Sequence, residues 1–213
     1  MGNYAAMAFT DPVKQLQQRY GSRSSYARME QYRYVDGLTG QEAAFIAERD
    51  SFYLATIGEN GYPYIQHRGG PRGFLKVLDK DHLGFVDFAG NRQYISVGNL
   101  TTHPEVSLIL VDYPHRTRLK IYAKAAVVNL ADQPALFSEL DPADYPHRPE
   151  RMLVLTVDSY DWNCPQHITP RFTVDEMASV LEQQASYIRS LEADLARYRS
   201  GDITPGGGPD QRV

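Results

Sequence analysis

The chain has little of what would point directly to a chemistry. It carries one cysteine, Cys164, in 213 residues. That excludes an internal disulfide framework and any zinc site built on several thiolates. It fits a reducing compartment. There is no excess of positive charge: 22 Lys and Arg stand against 26 Asp and Glu, for a formal net charge of −4. A dedicated nucleic-acid binder would be basic, so no nucleic-acid partner is expected. No apolar run is long enough to span a bilayer, and residues 1–10 lack the charged-then-apolar pattern of a secretory signal. The expectation is a soluble, cytoplasmic protein with no membrane partner. His67, His103, His115, His147 and His167 have no tight ligand spacing, so no metal is expected. The Walker spacing and the dinucleotide fingerprint are both missing, which removes nucleoside triphosphate and Rossmann sites.

What is present is a core: 42% of the residues are hydrophobic, enough for one sizeable domain. Thr10-Asp11-Pro12 predicts a cap and a short helix to Tyr20. Residues 21–34 are polar, with Arg and Tyr interspersed and no period, and are expected to form a surface arm or loop. Thr39-Gly40-Gln41-Glu42 is a capping box, predicting a helix over about 40–50. Strands are expected over 51–57 and 62–68 around an Asn60-Gly61 hairpin turn, then over 74–78, 83–88, 106–111, 119–128 and 152–157. Short helices are expected over about 92–100 and from Pro134 to Leu140. Strands in antiparallel succession with few helices between them fit a closed or half-closed barrel.

A second capping box, Thr173-Val174-Asp175-Glu176, opens a long C-terminal helix. Val174, Met177, Leu181, Gln184, Ile188, Leu191, Leu195 and Tyr198 follow at spacings of three and four. This is a heptad seam with one polar interruption, on a helix about 40 Å long. It could pack on its own barrel or on the same helix of a second chain. The expected organisation is an N-terminal helix and arm (1–38), a barrel (39–172), the heptad helix (173–200) and a disordered tail (201–213).

Three clusters could carry chemistry. Gln66-His67-Arg68-Gly69-Gly70-Pro71-Arg72-Gly73 leads to Lys76. Its glycines would let backbone approach an anionic cofactor, or it is a turn with solvated charges. Val86-Asp87-Phe88 runs through Gly90 into Asn91-Arg92-Gln93-Tyr94. This reads as a strand, a turn and a helix start, where unpaired N–H groups and an arginine fork suit a phosphate. Asp161-Trp162-Asn163-Cys164-Pro165-Gln166-His167 leads to Arg171. Trp162 and Arg171 could flank a flat aromatic ligand. Cys164 and His167 have no acidic orienting partner at a recognisable spacing, which argues against a thiol nucleophile.

These clusters, in this order over about residues 40–171, resemble the pyridoxamine 5′-phosphate oxidase-like superfamily of FMN-binding split barrels. The resemblance implies a mainly β fold with flanking helices, an antiparallel split β-barrel, a homodimer, and FMN at the subunit interface. It implies that Lys76 ends the phosphate-binding strand. That motif opens with an Arg where this chain has Pro71, so Arg68 or Arg72 takes its place, with Gln66 and His67 alongside. Asn91-Arg92-Gln93 stands where the family has Ser-Arg-Lys. Val86 and Asp87 fall where the preceding strand touches the flavin, and Arg118 where a partner-facing strand contacts FMN. Trp162 and Arg171 match a Trp and an Arg at nearly the family's spacing. The oxidase's substrate-reading segment is not matched by His167-Ile168-Thr169-Pro170, so oxidation of pyridoxamine phosphate itself is not expected. The implied function is a flavin-dependent oxidoreductase on an unidentified small molecule and its electron donor or acceptor, with substrate near His167. The alternatives are a non-catalytic flavin or ligand binder, and a split barrel using a deazaflavin or haem.

Overall fold

A computed structural model describes residues 2–162 and 166–200. In chain order the elements are α1 (Tyr4–Ala8), α2 (Asp11–Arg19), α3 (Arg23–Tyr32), α4 (Gly40–Ala47), β1 (Ser51–Ile57), β2 (Pro63–Gly69), β3 (Lys76–Val77) and β4 (His82–Phe88). They continue with α5 (Ile95–Asn99), β5 (Glu105–Asp112), β6 (Thr117–Val128), α6 (Pro134–Leu140), β7 (Pro149–Trp162) and α7 (Val174–Ser200). The chain divides into two units, Met1–Thr169 and Pro170–Val213.

The first unit is built on one seven-stranded sheet in the order β2-β1-β5-β6-β7-β4-β3, and every strand pair in it is antiparallel. Alternation sets which way each strand faces. On β1, Phe52, Leu54 and Thr56 are buried while Tyr53 and Ile57 are exposed. The sheet wraps round until its ends approach. Phe52 of β1 meets Phe85 of β4 edge to face at 5.3 Å, although three strands lie between them in the sheet. Phe74, from the β2–β3 loop, stacks on Phe52 at 5.5 Å. Leu54, Leu83, Leu108, Leu110, Leu119, Ile121 and Leu155 complete this core, each contributing roughly 1.5–3 kcal/mol by leaving water. β2 and β3 end the sheet without pairing with each other. The result is an antiparallel barrel split along one seam.

A smaller cluster forms on the other face of β4, where Val86, Leu140 and Met152 pack beneath α6. Gly84 makes that approach possible, since a Cβ there would lie 2.9 Å from Leu140 Cδ2. The N-terminal helices fasten to the barrel wall. Tyr4 stacks on Tyr122 at 4.6 Å, and the Gly2 N–H donates to the Asp158 carbonyl at 2.7 Å.

Several expectations are corrected. Residues 21–34 are not a loop, because most of them form α3. Its Glu30 pairs with Lys14 and Arg23, both at 2.5 Å, and the Asn3 amide donates to the Met29 and Glu30 carbonyls. These tertiary contacts supply what a segment without a hydrophobic period lacks. Thr10 precedes α2 but makes no side-chain cap hydrogen bond. The strand expected over 74–78 contracts to Lys76–Val77, and the last strand extends to Pro149–Trp162. Both expected capping boxes form, Thr39 with Glu42 and Thr173 with Glu176. Among the described residues, no helix is long and apolar enough to cross a membrane.

The second unit contains α7, an uninterrupted helix from Val174 to Ser200 with no buried residue. The tail expected to be disordered, 201–213, lies outside the described residues.

Candidate functional site

The seam of the split barrel holds a polar cleft of about 210 Å³. One wall is the inward face of β2, where alternation places Tyr64, Gln66 and Arg68 side by side. Asp87 at the end of β4 forms the floor, and the loop from Gly90 to Tyr94 forms the opposite rim. β2 is an edge strand, and its inward residues are polar, whereas β1 turns Phe52 and Leu54 inward.

Arg68 and Asp87 form a hydrogen-bonded ion pair across the seam. Their side chains are only 12% and 7% exposed. Arg151 of β7 lies 3.7 Å from the second Asp87 oxygen and donates to Glu150 at 2.6 Å. Its guanidinium also sits over the Tyr94 ring at 5.0 Å. Every described carboxylate of the cleft is therefore matched to an arginine. Gln66 accepts a hydrogen bond from Ser96 Oγ at 2.8 Å, and the Asn99 amide donates to Thr56 Oγ1 at 2.9 Å. These two bonds tie α5 to the β1–β2 hairpin.

The rim differs from the expected helix start. α5 begins at Ile95, after Asn91, Arg92 and Gln93, and spans five residues. The trio instead forms a tight turn. Asn91 Oδ1 accepts from the Gln93 N–H at 3.2 Å, while Arg92 and Tyr94 take left-handed backbone at φ 61° and 54°. An asparagine turn of this kind competes with helix for the same N–H groups. Arg92 lines the cleft and is exposed. Among the described residues it has no ion-pair or hydrogen-bond partner, unlike Arg68 and Arg151.

The structure thus brings together Gln66, Arg68, Asp87, Asn91, Arg92 and Gln93. It does not bring the other expected residues into that cleft. His67 faces the opposite side of β2, against the Tyr53 ring at 5.5 Å. Val86 packs beneath α6 with Leu140 and Met152. Lys76 donates to the Glu139 carbonyl at 2.6 Å and lines a separate groove with Arg72, Phe74 and Asp141. Arg118 lies on β6 opposite Val111, its Nε buried without a partner. Trp162 packs edge-on against Phe45 at 4.8 Å, and its indole N–H donates to Glu42 at 2.7 Å. His167 sits in a turn with φ 63°. Arg171 belongs to the second unit. Cys164 lies outside the described residues.

Around Trp162 the electrostatics are structural. Burial pushes the Glu42 carboxyl up, but hydrogen bonds from Thr39 and Trp162 outweigh it and hold the group below its ordinary value of 4.5. Burial, with the Glu42 charge, pushes the neighbouring Tyr160 phenol up to about 12.

The sequence reading missed Tyr64, Ser96 and Glu150 in the cleft, and Arg151 behind it. Tyr64 carried a usable signal, since it shares the period-two face of Gln66 and Arg68. Glu150 and Arg151 carried none, because the β4–β7 register that sets Arg151 opposite Asp87 is a long-range fact.

Residues 38–161 match the family model described as pyridoxamine 5′-phosphate oxidase. No curated protein matches the chain. Solved structures with a similar fold include a putative pyridoxamine 5′-phosphate oxidase from Lactobacillus delbrueckii, at 22% identity and TM-score 0.46, covering 60% of this chain and 95% of that one. An FMN-binding protein from Syntrophomonas wolfei is similar at 13% identity and TM-score 0.45, covering 69% and 97%. The Group A Streptococcus protein HupZ is similar at 12% identity and TM-score 0.44, covering 63% and 100%.

Proposed function

The chain belongs to the pyridoxamine 5′-phosphate oxidase family, and from that premise we propose that it binds FMN in the seam cleft as a homodimer and acts as a flavin-dependent oxidoreductase on a small molecule. The observation that carries this reading is Arg92, an unpartnered guanidinium at the rim of a cleft whose other described charges are matched. A phosphate would complete it, with the Asn91 and Gln93 amides in reach as donors. Each charge-assisted bond would be worth roughly 1.5–3 kcal/mol. Arg68, held by Asp87, adds a fixed cation behind the site. Lys76 is not needed for this grip.

The cleft of one protomer is small for an enclosed FMN site. Pockets that enclose a ligand of this size run to about 300–1,000 Å³, and one protomer offers about 210 Å³. The outer face of β2, β1 and β5 is the surface we assign to the partner. Register sets Ile65 beside Ala55 and Ile109 beside Tyr53 there, and Ile65, Tyr53 and Ile57 are exposed. Arg118 lies on the same outer side of the sheet, opposite Val111.

FMN, when bound, supplies the hydride chemistry in its ring system. The residues of this chain bind and orient it: Arg92 fixes the phosphate end, while Tyr64 and Tyr94 line the wall. A second reading is a binder without turnover. Asp87 and Glu150 are both committed to arginines, which leaves no free acid–base carboxylate among the described residues that line the cleft. The test is the absorption spectrum of the purified protein, with mass spectrometry of the released ligand. A flavin spectrum and FMN mass are expected, and a colourless protein that does not bind added FMN would overturn the proposal. A deazaflavin or haem spectrum would reassign the cofactor. Anaerobic reduction by NADH or NADPH, followed by reoxidation, separates the oxidoreductase from the binder.

A further inference from the structure

We propose that α7 pairs with α7 of a second copy of this chain as a parallel, in-register, two-stranded coiled coil. The helix has 27 residues and buries none of them. Leu181, Ile188, Leu191 and Leu195 are each about half exposed (49–54%). An isolated helix of this kind gains most of its stability by covering an apolar stripe. With Val174 at heptad position a, the a sites are Val174, Leu181, Ile188 and Leu195, and the d sites are Met177, Gln184, Leu191 and Tyr198. The seam holds over nearly four heptads, the span at which such a pattern becomes specific.

Two features choose the occupant and its orientation. The first is Gln184, the polar seam residue. In a parallel in-register pair it faces its own copy, and two amides can satisfy each other. In the antiparallel register that covers the whole helix it faces Ile188, leaving an amide against an apolar side chain. A polar residue in the seam is a known means of fixing register. The second is flank charge. In a parallel pair each g residue meets the e residue five positions on in the partner. Here those pairs are Thr173 with Ala178, Val180 with Ala185, Tyr187 with Glu192, and Asp194 with Arg199. None is repulsive, and Asp194 with Arg199 is attractive twice over by symmetry. The antiparallel register sets Asp194 against Val180 and Glu192 against Ala178, which wastes both charges. The surface is therefore complementary to itself, in one orientation.

Cross-linking of the full chain tests this. With Cys164 replaced by serine, the native chain's single thiol is removed. Leu191→Cys and Leu181→Cys are then introduced in separate chains, both at exposed seam positions. On mild oxidation each variant is expected to form a covalent dimer with itself. In an equimolar mixture carrying distinguishable tags, dimers of 181 with 191 are expected to be minor. Dominant 181–191 dimers would overturn the parallel arrangement. Failure of both variants to cross-link, with helix content intact by circular dichroism, would overturn the pairing itself and indicate that the seam packs on its own barrel. The cross-links report on α7 alone, so the result stands whether or not the seam cleft binds FMN.

Discussion

Arg68 on β2 and Asp87 on β4 are held together across the one unpaired seam of the barrel. The two strands share no backbone ladder, so this ion pair is a direct link between the edges of the split. Both side chains are largely buried, and removing one partner strands a charge that cannot rehydrate. Asp87→Asn is expected to lower stability by about 3 kcal/mol in chemical denaturation. It should also widen the cleft, raising the FMN dissociation constant. A loss below about 0.5 kcal/mol would mean that the seam is held elsewhere.

Arg92 presents the opposite case. It is exposed and unpartnered, and it occupies left-handed backbone at φ 61°. Arg92→Ala is expected to weaken FMN binding ten-fold or more, since the loss of one charged bond exceeds the 1.4 kcal/mol of a decade. Arg92→Gly separates charge from geometry. It should lose affinity to the same extent while keeping or slightly raising the melting temperature, because glycine accepts this backbone without strain. Fluorescence titration and thermal melting measure the two effects, and unchanged affinity in both variants would remove Arg92 from the site.

The strand order along the chain was legible because β1, β4, β5 and β6 carry dense apolar or alternating patterns, and Thr39 and Thr173 open their helices with complete capping boxes. α3 was not legible. Its stability comes from Lys14, Arg23 and Asn3 meeting Glu30, which no local window contains. The cleft was legible in part for the same reason. Arg68, Asp87 and Arg92 lie on short segments with turn signals, whereas Arg151 enters through a strand pairing. Lys76 and Trp162 show the converse limit. In the protomer Lys76 donates to the Glu139 carbonyl and Trp162 to Glu42, contacts that no local window contains.

Glu42 links the α4 cap to the barrel through Thr39 and Trp162, and its carboxyl is held below its ordinary 4.5. The unfolded chain therefore takes up a proton before the folded one does. The contribution of Glu42 is whole above about pH 4.5 and is lost as pH falls through the lower folded value. Asp112 adds to the same acid limb. Burial pushes it up, but the His115 N–H and the Arg49 guanidinium outweigh this and hold it below 3.8. Glu42→Gln is expected to cost about 1–2 kcal/mol at pH 7 and to flatten the fall in stability as pH drops below the ordinary carboxyl value of 4.5. Trp162 is the only tryptophan, so its emission reports on this contact directly. A wild-type acid limb in the variant would exclude Glu42 as its source.

The outer sheet face provides the test of assembly. Ile65 is 65% exposed on the edge strand β2, beside Ala55 and one strand from Ser107. In a lone protomer it touches little, so Ile65→Lys should change protomer stability by less than about 0.5 kcal/mol. In a dimer built on this face, the same change buries a lysine ammonium at the centre of an apolar contact, at a cost of several kcal/mol. The expected result by light scattering is a folded monomer at concentrations where the wild type is dimeric. The α7 coiled coil could hold two such chains together, so the measurement is best made on Ile65→Lys combined with Leu191→Asp. That double variant should be monomeric, and Leu191→Asp alone should remain a dimer through its barrels. Persistence of the dimer in the double variant would show that the subunits meet on a different face.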